Sequence, residues 1–136
     1  MRTICMMILL VIMGVLAGCG GQSQEGSVQQ GEYFSVSLEP AVSPVPTGQE
    51  VKYTVQVTHE GEVVTKAQVQ VALEMKEMDH GKNEFALKEV QPGVYEGKAV
   101  LPMSGTWQAY IRIAKDGKSE TIPATFEAVG EMVKSK

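Results

Sequence analysis

From residue 33 onward the chain is built on alternation. Val51, Tyr53, Val55 and Val57 fall on one face of a stretch whose other face is Lys52, Thr54, Gln56 and Thr58. That two-residue period predicts a half-buried strand over 51–58. A shorter run, Phe34 to Leu38, predicts a strand before it, and Pro40, Pro44 and Pro46 predict an extended connection outside any ladder. Beyond a turn at Glu60-Gly61-Glu62, Val69, Val71, Leu73 and Met75 alternate with polar residues in a third strand that ends at Met75.

Further strands are expected over about 84–90 and 94–101, joined by the turn Gln91-Pro92-Gly93. A sixth carries Trp107, Ala109, Ile111 and Ile113 on one face, Asp116-Gly117 reads as a two-residue hairpin turn, and a seventh runs from Ser119 to about Val129. Pro123 inside that last strand predicts an edge position or a bulge. About seven short strands with regular turn signals and no helical period predict an all-β fold, an immunoglobulin-like antiparallel β-sandwich, with a barrel as the alternative. The expected core is Tyr53, Val55, Val57, Val69, Val71, Leu73, Tyr95, Leu101, Trp107, Ile111, Ile113 and Phe126.

The start of the chain follows other rules. A basic Arg2 precedes an apolar run from Ile4 to Val15, too short for a permanent membrane span, which closes in Leu16-Ala17-Gly18-Cys19. This order resembles the bacterial lipobox. The resemblance implies a lipoprotein signal peptide over 1–18 and a mature chain beginning at Cys19 with a diacylglycerol thioether and an acylated amine. Two or three acyl chains give stable anchoring, where one is marginal. Gly20 to Gly31 holds four glycines and one apolar side chain, so residues 19–32 are expected to be a lipidated flexible tether, leaving 33–130 for the sandwich domain.

Composition then narrows the function. Past the signal peptide the 12 basic residues lose Arg2, against 16 acidic ones, and no basic cluster exists; nucleic acid is therefore not an expected partner. Cys5 leaves with the signal peptide and Cys19 is acylated, so no disulfide is expected. HExxH, CxxC and phosphate-loop patterns are absent and no nucleophile, base and orienting group fall into a catalytic order. An enzyme is not expected.

One segment does suggest chemistry. Within Glu74-Met75-Lys76-Glu77-Met78-Asp79-His80-Gly81 two thioethers and an imidazole lie in six residues. Thioethers are soft ligands that suit Cu(I), and imidazole suits copper in either oxidation state. Met75, Met78 and His80 form a sufficient set, and Met103 joins them if its loop, Leu101 to Gly105, meets the same end of the sandwich. Each has a plainer reading. Methionine is primarily a core filler and Met75 continues the inward row after Leu73, His80 reads equally as a polar turn residue, and His59 as the end of the second strand.

The run from Ala67 through Met75, Met78 and Asp79-His80-Gly81, then Gly93-Val94-Tyr95-Glu96-Gly97, then Leu101-Pro102-Met103-Ser104-Gly105-Thr106-Trp107 resembles the YtkA-like domain, related to the FixH family. The family often has Met-Pro after the third strand, where Lys76 and Glu77 follow Met75 here. The resemblance implies an exported or membrane-anchored immunoglobulin-like domain with a copper-related accessory role, carried by Met75, Met78, His80 and Met103. The expectation is a lipid-anchored domain on the extracytoplasmic side of a cell membrane, binding Cu(I) as an accessory to copper handling or oxidase assembly beside a membrane-protein partner. The alternative is a metal-independent interaction module in envelope or membrane-complex assembly.

Overall fold

The computed structural model describes residues 28–76 and 83–130. Cys19, Met78 and His80, and the stretch up to residue 27 expected to hold a signal peptide and most of the tether, lie outside them. The described residues form ten strands: β1 Val28–Gln30, β2 Ser35–Pro40, β3 Val45–Pro46, β4 Glu50–His59, β5 Glu62–Val63, β6 Gln68–Met75, β7 Asn83–Gln91, β8 Val94–Val100, β9 Gly105–Lys115 and β10 Lys118–Val129.

They are ordered β1-β2-β4-β8-β7-β6-β9-β10-β3, with β5 folded back on β4. The fold turns on β7. Its first half, Asn83 to Leu87, pairs with β6, and its second half pairs with β8 through a register shift between Glu89 and Gln91. One strand thus serves two sheets, β1-β2-β4-β8 and β6-β9-β10-β3, which pack face to face as an immunoglobulin-like sandwich.

Inner positions are the apolar rows of the alternation. Across the second sheet these are Met75–Trp107–Phe126, Leu73–Ala109–Ala124 and Val71–Ile111–Ile122. Every residue of the expected core is buried except Phe126, which is half-buried against it. Two of the two-residue turns follow backbone sterics: Glu60-Gly61 and Asp116-Gly117 all take positive φ, between 50° and 82°, as a type I′ hairpin requires.

Three expectations are corrected. The count of about seven strands misses β1, β3 and β5, which are two or three residues long. The ladder begins at Val28, inside the stretch expected to be tether, where Val28 and Gln30 oppose Ser37 and Ser35. Pro40 and Pro46 enter ladders, Pro40 opposite Tyr53 and Pro46 in a parallel pair with Val129. Both stand at strand ends, where a missing N–H leaves no partner unpaired. Pro123 stands where expected, in β10, whose outer side among the described residues is paired only by the short β3 at Ala128 and Val129.

The methionine end of the sandwich

Met75 is the last residue of β6 and stands opposite Trp107 of β9. Pairing continues one residue further, with the Lys76 N–H donating to the Thr106 carbonyl at 3.1 Å. The side chain is half-buried and packs on the core. Its methyl lies over Gly105, where an added Cβ would come within 2.9 Å of Met75 Cε. Gly105 has a φ of 141°, so both its backbone and its surroundings call for the missing side chain.

Met103 lies two residues before Gly105 and is also half-buried. Its carbonyl accepts the indole N–H of Trp107 at 3.0 Å. The corner that carries it is fixed to neighbouring elements: Gly48 N–H donates to the Leu101 carbonyl at 2.8 Å, and Asn83 Nδ2 donates to the Val100 carbonyl at 3.1 Å. The end of β6, the start of β7 and the 101–105 corner therefore occupy one end of the sandwich. The Met103 corner thus stands beside the end of β6, from which the segment holding Met78 and His80 departs. The chain leaves this end at Lys76 and returns at Asn83, and the intervening Met78 and His80 lie outside the described residues.

His59 is elsewhere. It closes β4 at the opposite end of the sandwich, about 25 Å from Met75 at ~3.3 Å per residue along a strand. There its Nδ1 donates to the Tyr33 carbonyl at 2.5 Å, and its ring meets Phe34 edge-on at 6.2 Å between centroids. These contacts make it a structural residue of the β1–β2 link.

Three side chains organise the frame: Tyr95, expected only as core, and Glu89 and Glu120, which the sequence did not single out. The Tyr95 hydroxyl donates to the Val64 carbonyl at 2.7 Å and accepts the Ala67 N–H at 3.0 Å, fixing the crossing from β5 to β6. Glu89 accepts the Lys66 N–H at 3.0 Å beside the same crossing, where Lys66 holds a φ of 53°. Glu120 sits in the inner row of β10, opposite Ile113, and accepts the N–H groups of Glu32, Tyr33 and Phe34. The available signal was parity: an acid in step with Ile122, Ala124 and Phe126.

Chemically, the methionine end offers two thioethers and backbone oxygens, beside the Asn83 carboxamide and a Glu127 carboxylate that accepts the Thr106 hydroxyl at 2.7 Å. Among the described residues no three His, Cys, Asp or Glu side chains gather as a metal-holding group. Neutral, polarisable sulfur in a half-buried setting fits a soft monovalent ion such as Cu(I) better than a hard divalent one.

These features define a β-sandwich domain with Met75 and the Met103 corner at one end of its sheets. A family model described as YtkA-like matches residues 29–112, which include both methionines, and the chain belongs to the YtkA-like family. No curated protein matches it. Among solved structures it is similar to the PmoD soluble domain from Methylocystis sp. ATCC 49242 (Rockwell), with a TM-score of 0.53 and 10% identity over 75% of this chain and 96% of that one. At that identity the likeness is one of fold. Among the described residues no helix is long and apolar enough to cross a membrane.

Proposed function

We propose that this protein is a lipid-anchored, extracytoplasmic copper-binding domain, holding Cu(I) through Met75 and Met103 together with Met78 and His80. It acts as a binding domain, not as an enzyme. The observation that carries the reading is the meeting of the Met75 strand end with the Met103 corner across Gly105. Two neutral sulfurs on different elements give a soft ion a site that needs no deprotonation. Ligands drawn from a strand end and a corner also allow the ion to be passed on.

The role that follows is delivery or storage of copper beside a membrane-protein partner, in copper handling or oxidase assembly, with Cys19 and the tether holding the domain at the membrane. Competition with bathocuproine disulfonate, using the full chain in detergent, tests it. The wild type is expected to withhold Cu(I), and Met75→Ala combined with His80→Ala is expected to release it. Unchanged affinity in the double variant would remove the site assignment.

A second reading is favoured by the packing of Met75 on the core. In it the same end is a metal-independent docking surface for a membrane-complex partner. It predicts capture of a membrane protein that survives a copper chelator, where the copper reading predicts loss.

A further inference from the structure

Trp107 is the chain's single tryptophan, and the alternation explains its burial but not its identity. It is 2% exposed, and any large apolar residue would fill its place in the inner row. What distinguishes indole is the N–H, and that N–H reaches the carbonyl of Met103 at 3.0 Å. The same residue stands opposite Met75, and directly opposed side chains on antiparallel strands have Cβ atoms about 5 Å apart. One side chain therefore borders one methionine and holds the backbone of the other. Gly105 lies between them, with the Met75 methyl over it.

We infer that Trp107 is the positioning residue of the thioether pair, setting the Met103 corner against the end of β6 and forming the inner wall of the ion site. This rests on the copper reading above. The indole hydrogen bond fixes where Met103 leaves the backbone, and the ring keeps water from the core side of the ion. An indole attracts a cation within roughly 6 Å of its ring, so an ion held by Met75, opposite Trp107, would be drawn toward it. Phenylalanine at 107 would preserve the burial while losing the hydrogen bond.

The test uses the full chain in detergent under anaerobic, reducing conditions, with Cu(I) as the probe and bathocuproine disulfonate as the competitor. Emission from the single tryptophan is expected to fall on Cu(I) addition and to saturate at one ion per chain. Met75→Leu, which keeps the packing, is expected to leave the metal-free spectrum unchanged and abolish that fall. Trp107→Phe is expected to weaken Cu(I) binding about tenfold, the loss of one positioning hydrogen bond, while its far-ultraviolet circular dichroism stays that of the wild type.

If the wild type withholds Cu(I) yet its emission does not change and Trp107→Phe binds as tightly, the role of Trp107 is overturned and the copper reading stands. If the wild type does not withhold Cu(I) at all, both fall. If Trp107→Phe does not fold, the emission of the wild type and of Met75→Leu decides the matter.

Discussion

Glu120 Oε2 accepts the backbone N–H of Phe34 at 3.0 Å, joining β10 to the link between β1 and β2 across the open side of the sandwich. The neighbouring Tyr33 N–H donates to the same oxygen at 3.1 Å, and that of Glu32 to the other oxygen. Burial raises the Glu120 carboxyl, but these N–H groups outweigh it and leave the pKa below its ordinary 4.5. A depressed carboxyl stabilises the fold fully above the unfolded value, and that share disappears as pH falls through the folded one. Glu120→Gln is therefore expected to lose about 1 kcal/mol at neutral pH, a modest figure because the group is partly solvated. It should also flatten the decline in stability below pH 4.5. Urea denaturation at neutral and acid pH checks both.

Gly31 is the second half of this clasp. A Cβ placed there would run into the Glu120 carboxylate, which could move aside only by giving up hydrogen bonds. Gly31→Ala is expected to destabilise the domain by about 1 kcal/mol, and by much less in a Glu120→Ala background, where the obstacle is gone. A double-mutant cycle with a coupling near zero would show that the carboxylate does not lie over Gly31.

How far the sequence reached follows from which residues carry local information. β6 runs over Gln68–Met75 as read, because Val69, Val71 and Leu73 are each buried and their neighbours are not. Glu60-Gly61 and Asp116-Gly117 announced their turns through backbone sterics alone. β1, β3 and β5 are too short to show a period, and long-range pairing holds them in place. The division of β7 between two sheets depends on a register shift that no side-chain pattern between Glu84 and Val90 records. At the site, the ambiguity of Met75 was real: it is both the end of the inward row and the neighbour of the Met103 corner. Trp107 was read as core alone, since nothing in the sequence told where its N–H would point.

Two buried tyrosines should respond oppositely to loss of their hydroxyls. Tyr95 uses its hydroxyl twice, on Val64 and Ala67, so Tyr95→Phe orphans a buried carbonyl and is expected to cost about 1–3 kcal/mol. Tyr53 packs between Phe85 and Phe126, with ring centroids at 5.7 and 5.8 Å, and its hydroxyl is buried without a hydrogen-bond partner. Tyr53→Phe is expected to be neutral or stabilising by up to about 1 kcal/mol. Burial also pushes the Tyr53 pKa up to about 12. A raised phenol stabilises the fold below its unfolded value near 10 and loses that share as pH climbs through the folded one. The phenylalanine variant should therefore resist alkaline unfolding better than the wild type, measured by circular dichroism between pH 9 and 12.

Gly105→Ala separates backbone strain from side-chain crowding at the methionine end. With φ at 141°, alanine is strained there whatever the space, by roughly 1–3 kcal/mol. The added methyl would also meet Met75 Cε; the end of a flexible thioether can swing away, but only by leaving the ground beside Trp107. Part of the loss should thus disappear in a Met75→Ala background, with a coupling of at least about 0.5 kcal/mol, while the strain remains. On the copper reading the displaced sulfur also leaves the Met103 corner, so Gly105→Ala should weaken Cu(I) binding while Met103 itself is intact. An additive cycle would place Met75 away from Gly105 and remove the contact on which the shared site depends.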